Sequence, residues 1–147
     1  MSNEAITIEQ INLVKETWGK VVPIADTAAS LFYAHLFETS PHLAPMFDGV
    51  NLPEQRKKLI KAINLVVVSL EHIETLVPMI REMGARHVGY GVEDAHYGEV
   101  GAALLWTLKT GLGDAWSDEA AEAWTRAYQL LSATMIAGAN EAARSAA

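Results

Sequence analysis

At 147 residues the chain has the length of one domain, 1–147, and a domain of that size buries about 68–70% of its unfolded surface, enough for a real core. Half of its residues are hydrophobic, which argues against disorder, and the absence of cysteine removes disulfides, thiolate metal ligands and iron–sulfur clusters. Eighteen acidic residues against eleven basic give a net charge of −7 with no basic stripe along any segment, so no nucleic-acid partner is expected.

Taken in chain order, every element reads as helix, and the expected class is all-α. Residues 1–10 are polar and acidic, without the basic-then-apolar pattern of a secretory leader. Thr7 and Gln10 are spaced for a capping box that opens a helix over 8–21, with Ile11, Val14 and Trp18 on its inward face. Pro23 interrupts it, and a second helix runs to about Thr39. Ser40-Pro41 starts a short helical turn ending at Phe47. After a loop at 48–51, Pro53 suits the first turn of a helix reaching about Glu71. The longest apolar run within it, 65–70, is far too short to cross a bilayer, so no membrane partner and a cytoplasmic location are expected. A shorter helix ends near His87, where Gly89 and Gly91 break the chain. A long helix over 94–109 stops at Gly111 and Gly113, Ser117-Asp118 caps the last one, and the Ala- and Ser-rich stretch after Gly138 is expected to fray.

His87 carries the most information. It follows Leu76, Ile80 and Met83 at spacings of four, three and four, which puts the imidazole on the apolar face of a helix with about 3.6 residues per turn. A histidine there is either a core residue bonded to a backbone carbonyl or a ligand. The other histidines fit a ligand role less well. His35 points about 200° around its helix from Tyr33, His42 follows a proline in a polar turn, His72 stands beside Glu71 and Glu74, and His96 lies near a helix start.

Leu31-Phe32-Tyr33-Ala34-His35-Leu36-Phe37, the segment 41–47, Arg86-His87, His96-Tyr97, Val100-Gly101 and Ala123-Trp124 with Ala127-Tyr128, in this order and spacing, resemble the globins. The resemblance spans nearly the whole chain and is to bacterial single-domain haemoglobins and the haem domain of flavohaemoglobins. It implies a three-over-three helical sandwich around a pocket for haem b, iron protoporphyrin IX, held without a covalent link.

On that resemblance His87 is the proximal iron ligand, since a neutral imidazole supplies one strong axial bond and leaves the opposite side to a diatomic gas. Tyr33 and Gln55 match the distal donors, with Leu59 packing against the gas. Dioxygen gains electron density on its outer atom at ferrous iron, which a preset hydroxyl or amide stabilises, whereas carbon monoxide polarises less. Phe47 matches the aromatic wedge on the porphyrin, while Met83, Arg86, Tyr90, Val92 and Tyr97 complete the cofactor contacts. Lys57, Lys58 and Arg86 are candidates for the haem propionates. Competing readings are a core aromatic for Tyr33 and for Phe47, and a solvated surface residue for Gln55 within Glu54-Gln55-Arg56-Lys57-Lys58.

Two departures shape the expected activity. In flavohaemoglobin-type domains a tyrosine matching Tyr97 and a glutamate on the last helix support the proximal imidazole and strengthen its electron push, but the position matching that glutamate is Ala139. Asn140 and Glu141 lie about 100° and 200° further around the helix. The sequence also lacks the flavin and nicotinamide domains, or any Gly-rich dinucleotide fingerprint. Three readings follow: a globin binding dioxygen, nitric oxide and carbon monoxide for oxygen storage, transport or scavenging; a nitric oxide dioxygenase served by a separate reductase; and a gas sensor or haem-free helical interaction domain.

Overall fold

The computed structural model describes residues 6–89 and 92–146, with the backbone alone at 89, 94 and 143–146. Six helices account for most of it: α1 (Ile8–Val21), α2 (Ala25–Thr39), α3 (Leu52–Val68), α4 (Val77–Gly89), α5 (Asp94–Leu112) and α6 (Asp118–Ala146). Short 3-10 segments at Val22–Ile24, Pro41–Phe47, Leu70–Thr75 and Gly113–Ala115 join several of them.

The helix starts are set by side chains that satisfy otherwise orphaned backbone donors. Gln10 N donates to Thr7 Oγ1 at 3.1 Å while Thr7 N donates to Gln10 Oε1 at 3.0 Å, the expected reciprocal box. Glu54 N donates to Asn51 Oδ1 at 3.1 Å to open α3, and Ala120 N donates to Ser117 Oγ at 3.0 Å to open α6. At its other end α5 stops where Gly113 takes a φ of +54°, a conformation that suits a residue without Cβ.

Helix ends depart from the sequence expectation in four places. Helix α3 stops at Val68 rather than near Glu71, because Ser69 N is shared between the Leu65 and Val66 carbonyls, both at 3.2 Å, and the chain tightens into 3-10 geometry. Helix α4 carries on through His87 to Gly89, and α5 continues through Gly111 to Leu112. Helix α6 runs on past Gly138 to Ala146, with Gly138 buried against the backbone of Arg81.

Helix α1 packs on α6 and α3, α2 on α5 and α3, and α4 on α6, so that α1, α3 and α4 form one layer across α2, α5 and α6. This is the three-over-three sandwich. At one end Ile11, Val14, Trp18, Leu108, Ala123 and Trp124 are buried together. Trp124 Nε1 donates to Thr17 Oγ1 at 2.8 Å and Trp18 Nε1 to Asn64 Oδ1 at 3.1 Å, so neither indole N–H is buried unmet. At the other end α4 and α6 touch through their backbones. A Cβ on Gly84 would stand 1.9 Å from the Met135 carbonyl oxygen, and one on Gly138 would stand 2.0 Å from that of Arg81. Two glycines, one on each helix, therefore set how closely the helix of His87 approaches its support.

Candidate functional site

The sequence-selected residues gather into two groups. The first is built by α2, the 3-10 segment Pro41–Phe47 and α3. Tyr33 is buried at the middle of α2 among Phe32, Leu36 and Leu43, with Phe37, Phe47 and Leu59 packed against them. Phe47 meets the Tyr33 ring edge-on at 5.6 Å between centroids and the Phe37 ring at 5.3 Å, an arrangement that aromatic quadrupoles favour. Helix α3 is half-buried at Gln55 and Leu59, one turn apart on the same face. Burial raises the Tyr33 phenol's pKa above 10.0, and the nearby Gln55 side chain lowers it by less. Tyr33 thus stays a neutral hydroxyl at physiological pH.

The second group is built by α4, the turn after it and the start of α5. Ile80 and Tyr97 are buried with Met135, and Leu76, Met83 and Val92 pack around them. His87 is half-buried, and its Nδ1 lies 2.6 Å from the Met83 carbonyl oxygen. A carbonyl can only accept, so Nδ1 carries a proton, and whenever the ring is neutral the lone pair is on Nε2. The bond to a backbone carbonyl is one of the two sequence readings of His87. Val92 N donates to the His87 carbonyl at 3.1 Å, closing the turn that follows.

Some expected contacts do not converge on these groups. Lys57 and Lys58 are exposed on α3, and Arg86 is exposed and pairs with Glu82 at 3.3 Å along its own helix. Tyr90 lies outside the described residues. At the matching position for an acidic partner, Ala139 is buried and has no polar side-chain atom. Asn140 is exposed, and Glu141 is committed to Arg81 at 3.0 Å on the surface.

Other residues belong to the site although sequence reasoning gave them no role. Phe37 and Met46 extend the aromatic wall around Tyr33, and Phe37, four residues on, could have been found from helical spacing. Tyr128 donates its hydroxyl to the Tyr97 carbonyl at 2.6 Å. Its ring fills the space over Gly101, where a Cβ would stand 2.7 Å from Tyr128 Cε2. Burial, followed by the neighbouring Tyr97, pushes the Tyr128 phenol far above its usual range. Those contacts give a physical reason for Gly101 and Tyr128 occurring together.

The donor set suits a planar, apolar, iron-bearing group: one imidazole nitrogen with a lone pair, aromatic and aliphatic walls, and one neutral hydroxyl–amide pair. Comparison with known proteins agrees. Residues 30–135 match the family model described as Globin. The chain is 27% identical over 128 residues to the flavohemoprotein of Bacillus subtilis, covering 86% of this chain and 32% of the relative. It thus spans about a third of the length of such flavohemoproteins. It is 28% identical over 150 residues to the anaerobic nitrite reductase HBII of Casuarina glauca, covering 92% of this chain and 93% of that protein. Among solved structures, the bacterial globin of Campylobacter jejuni superposes with a TM-score of 0.80 at 28% identity, covering 92% of this chain and 97% of that one.

Proposed function

The chain belongs to the globin family, and from that premise we propose that it is a haem b protein that reversibly binds dioxygen and other diatomic gases. When bound, haem supplies an iron centre with one coordination position open to a gas. His87 would hold the iron through Nε2, its ring oriented by the Nδ1–H bond to Met83. Phe47, Met83, Val92 and Tyr97 would pack the cofactor and exclude water. Tyr33 and Gln55 would donate to the polar end of the gas, and Leu59 would limit the space around it.

The observation that carries this reading is the buried, neutral Tyr33 hydroxyl, with Gln55 beside it, inside an otherwise apolar wall. A neutral donor pair in such surroundings favours a ligand that gains negative charge on binding, which selects dioxygen over carbon monoxide. Ala139, in place of an acidic partner for the proximal ring, weakens the case for strong oxygen activation. The likeness to flavohemoproteins keeps a second reading in view, nitric oxide dioxygenation with electrons from a reductase, as a partner or as a further domain.

Absorption spectra of the purified protein, reduced and then exposed to carbon monoxide or air, test the reading. It predicts stoichiometric haem, a shift with each gas, and full reversal on removal. Slow turnover of nitric oxide in cell extract with a nicotinamide donor favours the binding role; rapid turnover favours the dioxygenase.

A further inference from the structure

A second cluster of ligating side chains lies outside the gas pocket, where the 3-10 segment Pro41–Phe47 meets the first turns of α5. His42 lies 57 positions before Glu99, and their side chains meet at 2.7 Å between Nε2 and Oε1. The His42 and His96 rings are 6.1 Å apart. One ligand atom from each of His42, His96 and Glu99 falls within 4.8 Å of the other two. We propose that these three residues form a binding site for a divalent transition-metal ion of the zinc type, clamping the Pro41–Phe47 segment to α5.

The chemistry of the set points to that class of ion. Two imidazoles with one carboxylate suit zinc and its neighbours, whereas calcium and magnesium call for oxygen ligands. Bonds of about 2.0–2.2 Å in tetrahedral geometry place ligand atoms roughly 3.4 Å apart, so the His42–Glu99 pair opens by about 0.7 Å while the separations to His96 close by about 1.4 Å at most. His42 can supply that movement, its side chain being 58% exposed. Glu99 already meets His42 Nε2 across the site, so its carboxylate stands where a ligand is needed. Three protein ligands leave the remaining positions to water, and the net charge of −7 favours cation capture.

Binding has a local cost that gives the site a consequence. His96 Nδ1 accepts the backbone N–H of Glu93 at 3.0 Å, capping α5. A neutral ring that accepts there carries its proton on Nε2, so a metal at Nε2 requires the proton to move to Nδ1 and the cap to be released. The adjacent residue, Val92, donates to the His87 carbonyl, so occupation of the site loosens the first turn of α5 next to the turn that follows His87.

Equilibrium dialysis of the protein as purified against zinc chloride, with metal analysis of both compartments, tests the site. One saturable equivalent is expected. His42→Ala and Glu99→Gln should each weaken it at least tenfold. His96→Ala should also weaken it, and His35→Ala and His72→Ala should leave it unchanged. His42 and Glu99 are surface residues whose substitution leaves the core intact, and circular dichroism of each variant checks this. No saturable equivalent in the wild type, or unchanged affinity in both His42→Ala and Glu99→Gln, would overturn the assignment.

Discussion

The Nδ1–H of His87 donates to the carbonyl of Met83, one helical turn earlier, at 2.6 Å. A bond that close restrains the rotation of the ring and keeps a proton on Nδ1, so the proposed ligation of iron falls to Nε2. Replacing His87 by alanine should abolish stable haem binding or leave a weakly ligated pigment. Haem content and the ferrous spectrum of the variant check this; full haem with an unchanged spectrum would contradict the ligand assignment.

The approach of α4 to α6 depends on Gly84 and Gly138. At either position a Cβ collides with a backbone carbonyl, which cannot rotate away as a side chain can, so the helices must separate. Gly84→Ala and Gly138→Ala should each lower stability by about 1–3 kcal/mol, measured by chemical denaturation. Because both act on one crossing, the double variant should lose less than the sum of the two. Gly84 also lies three residues before His87, so its variant should release haem faster, whereas Gly101→Ala meets only the Tyr128 ring and should be milder.

Two buried phenols set the alkaline limit. Tyr33 and Tyr128 have pKa values raised above 10.0 in the folded protein, mainly by burial. In the unfolded chain each loses its proton near 10.0, whereas the folded protein retains it, so the folded state binds more protons above that pH. Stability is therefore full below pH 10 and falls as pH rises, by up to about 1.4 kcal/mol per pH unit for each tyrosine. Tyr128→Phe should cost about 1 kcal/mol at neutral pH, through the lost bond to the Tyr97 carbonyl, and should flatten the alkaline slope. Denaturant midpoints between pH 8 and 11 would show both effects; an unchanged slope would place Tyr128 outside the titration.

Much of this arrangement is legible in the sequence because it depends on spacing within one helix. The stripe Leu76, Ile80, Met83 and His87, the caps at Thr7 and Ser117, and the Gln55–Leu59 face all follow from local periodicity and local hydrogen bonding. What the sequence hides depends on pairs far apart in the chain. Gly84 against Met135, His42 against Glu99 and Tyr128 against Tyr97 are tertiary meetings, and a lone helical glycine reads only as a weak helix former. The same reason explains the misplaced ends. Gly111 reads as a break and the stretch after Gly138 as a fraying end, yet helices α5 and α6 run on through them because packing outweighs intrinsic propensity.

The donor pair over the pocket offers the sharpest test. A hydrogen bond to a charged acceptor contributes about 1.5–3 kcal/mol, so Tyr33→Phe should speed dioxygen release roughly tenfold to a hundredfold while carbon monoxide release changes much less. Gln55→Leu should act in the same direction. Because the two side chains are proposed to act on one bound gas, their double variant should fall short of additivity. Stopped-flow release of both gases from the wild type and Tyr33→Phe is the most direct measurement. A large effect confined to dioxygen is the predicted result; equal small changes for the two gases would make Tyr33 a packing residue and contradict the account.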